Sequence, residues 1–148
     1  HLHRMSYAVF HAPSAIWASN RLAMEEEGWT VEEFNDEWNR FLDWWRRYFE
    51  ISVVLYSNDI YRVSAGPVGV GEFANAIDRF ILITSDGYRE EKFMPGRSPV
   101  RLRNGPTEFQ NIFTFSFRRE ALDSRPEWIR LYMVSRDTQY YFEWKFDI

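Results

Sequence analysis

The stretch TVEEFNDEWNRFLDWWRRYFEISVVLYS, residues 30–57, contains both hydrophobic periods of this chain. Its first part repeats apolar residues every three or four positions, the spacing of one helix face. These residues are Val31, Phe34, Trp38, Phe41, Leu42, Trp45, Tyr48 and Phe49. Thr30 and Glu33 have the capping-box spacing of a helix start, and from Ile51 the period becomes two. The stretch therefore predicts a long amphipathic helix that leads directly into a buried strand.

A second helix is predicted upstream of this stretch. Pro13 and Ser14 open an apolar pattern that continues to about Glu27, and Gly28 is well placed as a left-handed C-cap. Two helices joined by a turn at residues 28–30 form an αα-hairpin. Residues 1–12 alternate weakly, which fits an irregular arm or a short strand.

Downstream of residue 50 the pattern predicts strands bounded by turn residues. We expect them near 51–57, 60–64, 79–84, 88–93, 100–103, 109–118, 128–135 and 139–146. Asp86-Gly87 and residues 136–138 are predicted hairpin turns. The expected class is α+β in a single domain of 148 residues. An N-terminal αα-hairpin with its arm (1–50) packs on an antiparallel β-sandwich (51–148) of Ig-like or related topology.

Composition removes several classes of function. The chain has no cysteine, so it offers no disulfide, thiolate metal site or thiol nucleophile. Its net charge is -4 and it has no cluster of five or more basic residues, which argues against nucleic-acid binding. No apolar run approaches the roughly 18 residues of a membrane span, so we expect no transmembrane segment.

Motifs for catalysis are weak. Residues 69–74 (GVGEFA) fit a dinucleotide fingerprint, but the predicted strands around them are not those of a Rossmann unit. All three histidines lie in the first eleven residues, which disfavours a Ser-His-Asp triad. Glu90 and Glu91 face opposite sides of a strand and cannot share a site without a bulge. We expect no catalytic residue, cofactor or metal. A copper chelate at His1 and His3 is the enzyme alternative, and it requires His1 to be a processed terminus.

Aromatic residues are the strongest functional signal, at 19% of the sequence. Some of them lie outside the apolar helix and strand faces that predict the core. Because tryptophan, tyrosine and arginine concentrate at protein interfaces, these residues indicate a contact surface. The predicted interaction surface comprises Trp17, Trp29, Trp44, Arg46, Arg47, Tyr88, Trp128 and Tyr141. The expected function is a non-catalytic interaction or scaffold domain with a protein partner or a second copy of itself. The alternative is a sandwich that binds a small ligand or stacks sugar rings.

A series of segments resembles a class of bacterial envelope proteins, many of them predicted lipoproteins. They are FHAPSAIWASNRLAMEEEGWTVEEF (10–34), FEISVVLYSND (49–59), FILITSDG (80–87), FTFSF (113–117), WIRLYMVS (128–135) and FEWKF (142–146). The resemblance implies a helical hairpin followed by a β-sandwich, an extracytoplasmic place and a subunit role in an envelope or surface assembly. Membrane anchoring would then use a lipid upstream of His1. The resemblance assigns no functional residue.

Overall fold

The computed structural model describes residues 7–57, 79–93, 101–102, 109–134 and 139–146. Two helices, α1 (Pro13–Glu27) and α2 (Val31–Trp45), are followed by antiparallel sheets. The strands are β1 (Tyr7–Phe10), β2 (Tyr48–Ser57), β3 (Arg79–Thr84), β4 (Arg89–Phe93), β5 (Arg101–Leu102), β6 (Phe109–Arg118), β7 (Trp128–Val134) and β8 (Gln139–Lys145). They form two sheets, ordered β1-β2-β6-β5 and β4-β3-β7-β8. The α+β prediction is confirmed.

The core lies between the two sheets and is filled by alternate residues of the central strands. On β6, Phe113, Phe115 and Phe117 share the inner face, as the sequence predicts, and all three are buried. Phe80 of the second sheet meets Phe115 with ring centroids 4.4 Å apart. The other buried core residues are Phe49, Ile51, Val53, Leu82, Ile129, Leu131 and Met133, with Ala121 from a short 3-10 turn, Arg119–Leu122. The sheets therefore pack face to face as a sandwich.

The hairpin turn follows the predicted capping. Gly28 adopts φ 72° and ψ 33°, the left-handed conformation that glycine enters without a Cβ penalty. The amides of Gly28 and Trp29 both donate to the Met24 carbonyl, and these bonds close the end of α1. At the start of α2, the Glu33 amide donates to Thr30 Oγ1 over 3.1 Å, and the Thr30 amide donates to Glu33 Oε2 over 3.2 Å. The capping box is confirmed.

The prediction that α2 reaches Phe49 is wrong. The helix ends at Trp45, and Tyr48 already pairs with Arg118 in the ladder between β2 and β6. The Arg119 amide donates to the Arg47 carbonyl over 2.8 Å, which anchors the turn between helix and strand. Tyr48 and Phe49 continue the helical spacing in sequence, but sheet pairing and burial of Phe49 against Phe117 decide their structure.

The strand predictions agree closely with the structure. The predicted bounds of β3 and β6 coincide with those observed, and the N-terminal arm contains β1, which pairs antiparallel with β2. Gly87 supplies the positive φ, 95°, in the turn between β3 and β4. The strand predicted at 60–64, the GVGEFA motif at 69–74 and the turn at 136–138 lie outside the described residues. Within the described part of the chain, neither helix combines the length and apolar character of a membrane span.

Candidate interaction surface

The helical hairpin leaves large apolar side chains on the surface. Within α1 no residue is buried, and within α2 only Phe34 is buried. Phe34 packs edge-on against Trp17 with ring centroids 5.9 Å apart. Trp17 is nevertheless 45% exposed, Leu22 53% and Val31 64%. We call Trp17, Leu22 and Val31 the exposed hairpin set.

The hairpin is also strongly acidic. Residues 13–45 contain two arginines and eight carboxylates: Arg21 and Arg40; Glu25, Glu26, Glu27, Glu32, Glu33, Asp36, Glu37 and Asp43. Their net charge is -6, whereas the whole chain carries -4, so the remaining residues sum to +2. The charge is therefore separated between the hairpin and the rest of the chain.

Five of the eight predicted interaction residues lie on the hairpin or in the turn after it: Trp17, Trp29, Trp44, Arg46 and Arg47. The Trp29 indole donates to Glu27 Oε2 over 3.1 Å. Arg46 is exposed, and its Nη1 lies 3.6 Å from Asp43 Oδ1. The Arg47 guanidinium lies 5.8 Å from the Tyr48 ring centroid.

Trp44 lies beside a depression where the hairpin meets β2. The depression has a volume of about 360 Å³, and its lining includes Ile16, Asn20, Glu37, Arg40, Phe41, Trp44 and Glu50. The ring of Trp44 lies 4.7 Å from that of Tyr48. Its Nε1 is buried and has no hydrogen-bond partner among the described residues. A buried N–H without an acceptor is costly, so this site favours an acceptor from outside the described residues.

Two further predicted residues, Trp128 and Tyr141, lie together on the outer face of the second sheet. The Arg130 guanidinium lies over both rings, 4.1 Å from the Trp128 centroid and 4.9 Å from that of Tyr141. Arg130 also donates to Glu143 and to the Tyr132 hydroxyl. Hydrogen bonds to Tyr132 and then Glu143 raise the pKa of Arg130 above its ordinary value. The guanidinium thus occupies space beside both rings that a stacked sugar would need.

The eighth predicted residue, Tyr88, is directed into the molecule. Its hydroxyl donates to Glu90 Oε1 over 2.8 Å, and the same oxygen accepts the Arg118 amide over 3.0 Å. Burial, followed by the hydrogen bond to Glu90, raises the pKa of Tyr88 well above its ordinary range. The phenol is therefore neutral, and Glu90, which accepts from both groups, connects β4 to the end of β6. Glu91 bonds instead to Arg79 and Arg89, so the two glutamates do face opposite sides.

An apolar cleft opens where the hairpin meets one end of the sandwich. Its volume is about 450 Å³, within the roughly 300–1,000 Å³ of small-molecule sites. The lining residues are Phe10, Pro13, Trp45, Leu122, Arg125, Pro126 and Phe146. They come from β1, the start of α1, the end of α2, the segment after β6 and the residue after β8. We refer to this site as the apolar cleft.

One arginine lines the apolar cleft, and a second lies against a ring of its lining. Arg125 lines it and has a φ of 52°, which is the only positive φ of a non-glycine residue in the described part of the chain. The Arg119 guanidinium lies 4.8 Å from the Trp45 ring centroid. Its Nη1 donates to Asp123 Oδ1 over 3.3 Å, while its Nε is buried and unpaired among the described residues.

Sequence reasoning missed the apolar cleft. The hydrophobic period predicts that Trp45 and Phe146 belong to the core, and no pattern singles out Leu122, Arg125 or Pro126. The lining residues are far apart in the chain, so only the tertiary fold brings them together. The one local signal in this region was the proline of Arg125-Pro126, which lies between two predicted strands. It indicates a turn there, but it does not indicate a cleft.

Metal ligation and similarity to known proteins contribute no assignment. The described residues contain no group of three or more histidine, cysteine or acidic side chains placed to hold an ion. His11 Nε2 instead lies 2.7 Å from Ser52 Oγ, which is 2.8 Å from Thr114 Oγ1. Comparison with known proteins finds no matching family model, no similar curated protein and no similar solved structure.

Proposed function

We propose that this chain is a non-catalytic interaction domain of the bacterial envelope, whose helical hairpin packs onto a protein partner. The observation that most supports this proposal is that α1, a helix of 15 residues, contains no buried residue and exposes Trp17 and Leu22. Isolated helices of this length are marginal in water, because most helix stability in proteins comes from burying an apolar face. A partner that covers the exposed hairpin set would supply the missing burial.

Charge supports one class of partner. Residues 13–45 carry a net charge of -6, which favours attraction to a basic surface and disfavours contact with a second copy of the hairpin. A symmetric dimer through two hairpins would place these charges opposite each other. The proposed partner is therefore a different protein that presents an apolar centre with basic residues around it.

Site-specific photocrosslinking in cells of the source organism tests this proposal. A photoreactive phenylalanine analogue at Leu22 or Val31 should give one adduct of defined mass that contains a second, different protein. The same analogue at Lys145, exposed on β8, is the control position and should give no such adduct. The proposal is wrong if no adduct forms, if Lys145 gives the same adduct, or if the adduct is a second copy of this chain.

Charge-neutralising variants sharpen the test. Replacing Glu26 and Glu32 with glutamine should lower the yield of the Leu22 adduct, because it removes charges that attract a basic partner. The matched control is Glu120→Gln, an exposed glutamate at the sandwich end. Equal yields from all these variants would exclude charge complementarity.

The envelope part of the proposal rests on the resemblance described above and has its own test. Mass spectrometry of the N-terminal peptide of the native chain should find a signal-peptidase cut or a lipid-bearing cysteine ahead of His1. An unprocessed methionine start would contradict an extracytoplasmic place and would leave the hairpin proposal standing.

A further inference from the structure

The apolar cleft has the lining of a small-molecule site rather than that of a protein-docking surface. Among the described residues that line it, six are apolar and three of these are aromatic: Phe10, Trp45 and Phe146. Phe10 lies 6.2 Å from both the Trp45 and the Phe146 ring centroids, so the three rings form one continuous wall. Such a wall favours an aliphatic or aromatic body.

The polar groups of the cleft are cationic. Arg125 is the single charged side chain among the described lining residues. A second cation, Arg119, lies against the lining ring of Trp45 but is not itself part of the lining. The cleft therefore offers the Arg125 guanidinium beside an apolar wall, and an anionic acceptor would complete its hydrogen bonds.

We propose that the apolar cleft binds a small amphipathic carboxylate, with its hydrocarbon part on the Phe10–Trp45–Phe146 wall and its carboxylate at Arg125. A carboxylate matches the planar fork of guanidinium donors. An amphipathic amine would meet the positive charge of Arg125, and an uncharged alcohol would lack the charge-assisted hydrogen bonds. This site is separate from the exposed hairpin set, so it can be present whether or not the hairpin binds a protein.

Titration of the purified chain with decanoate, decan-1-ol and decylamine tests the ligand class. Trp45, one of seven tryptophans, lines the cleft, so the tryptophan fluorescence of the chain should change saturably with decanoate. Decanoate should bind at least about tenfold more tightly than decan-1-ol, the effect expected of one charge-assisted hydrogen bond. Decylamine should bind most weakly. Shortening the chain to octanoate should weaken binding about fourfold per methylene removed.

Three variants place the ligand in the cleft. Arg125→Gly removes the guanidinium and suits the positive φ at this position, so the chain should fold and bind decanoate about tenfold more weakly. Leu122→Trp should fill the cleft and abolish binding. Arg118→Gln is the matched control, because Arg118 is exposed and does not line the cleft, and it should leave affinity unchanged.

The outcomes separate the alternatives. The proposal is overturned if decanoate and decan-1-ol bind equally, if no ligand binds saturably, or if Arg118→Gln weakens binding as much as Arg125→Gly does. Thermal stability provides a second readout, because a ligand that binds only the folded chain raises its melting temperature. Decanoate should therefore stabilise the parent chain and the Arg118→Gln variant, and leave Leu122→Trp unchanged.

Discussion

The sandwich and the hairpin bury their aromatic residues to different extents. In the sandwich, Phe80, Phe115, Phe117 and Phe49 form a continuous series of ring contacts with centroids 4.4–6.5 Å apart, and all four are buried. In the hairpin, only Phe34 is buried. The other aromatic residues of the hairpin are half-buried, apart from Trp17, which is exposed. The comparison shows that aromatic residues fill a closed core between the sheets, whereas those of the hairpin are only partly covered.

The two regions are joined at one end of the hairpin. Rings along α2 form a row, with centroids 5.5 Å apart for Trp38 and Phe41 and 6.0 Å for Phe41 and Trp45. Trp45 then contacts Phe10 of β1, at 6.2 Å. The end of α2 is therefore anchored to the sandwich, while the turn at Gly28 lies at the other end of this helix.

The largest expected effect comes from truncating one buried ring in each region. Phe117→Ala should lower the free energy of unfolding by about 3–5 kcal/mol, because Phe117 is fully buried between the sheets. Phe34→Ala should cost about 1–3 kcal/mol, because its partner Trp17 is itself half exposed and the site can relax. Urea unfolding measures both, with Phe93→Ala, at a 74% exposed position, as the near-neutral control.

Equal losses of unfolding free energy for Phe117→Ala and Phe34→Ala would contradict this difference between the two regions. They would mean that the hairpin is as well packed as the sandwich and unfolds with it.

The capping box provides a smaller perturbation that acts on the hairpin alone. Thr30→Ala should destabilise α2 by about 1 kcal/mol, because the Glu33 amide loses its acceptor. Thr30→Ser keeps the hydroxyl and is the control. Hydrogen exchange at the Glu33 amide should speed up in the alanine variant only, and the exchange of β6 amides should not change. Faster exchange in β6 as well would show that the two regions open together.

Two glycines with positive φ form a matched pair across the regions. Gly28 and Gly87 have φ values of 72° and 95°, and no heavy atom lies within 4 Å of an added Cβ at either one. Alanine should therefore cost about 1 kcal/mol at each position through backbone strain alone. Gly87→Ala should lower the midpoint of sandwich unfolding, whereas Gly28→Ala should loosen only the hairpin amides. Identical effects on the unfolding midpoint would contradict independent opening.

Acid should act on the sandwich through Asp86. Its carboxylate accepts from the hydroxyls of Ser124 and then Thr84, and these bonds hold the pKa of Asp86 below its ordinary value. A depressed folded pKa stabilises the fold above the ordinary aspartate pKa of about 3.9, and this stability is lost as the pH falls through the folded pKa. Asp86→Asn should therefore reduce the loss in urea midpoint between about pH 6 and pH 3. Asp36→Asn, on the exposed side of α2, is the control and should keep the full loss.

Much of the fold can be predicted from local pattern. Strand β6 has three phenylalanines at alternate positions, and the start of α2 has the Thr30–Glu33 box, so each element carries its own signal. The end of α2 was not predictable in this way. Trp45, Tyr48 and Phe49 fit a helical period, while Phe49, Ile51 and Val53 fit a strand, and only pairing with β6 decides between them.

The candidate sites were less predictable than the fold. The exposure of Trp17 depends on how much of α1 the sandwich covers. The hydrophobic period of α1 does not determine this coverage. Tyr88 was predicted to be at the surface but is half-buried, because its ring packs against the core and its hydroxyl donates to Glu90. The apolar cleft combines five distant segments, so its lining residues carry no shared pattern in the sequence.

Native-state hydrogen exchange of the intact chain tests the central claim most directly, namely that the hairpin is held far less firmly than the sandwich and so is available to a partner. We predict that amides in the middle of α1 exchange through openings well below the global free energy of unfolding. Amides of β2 and β6 should require global unfolding. Equal protection of α1, β2 and β6 would contradict the account, because it would show a hairpin stable without any partner.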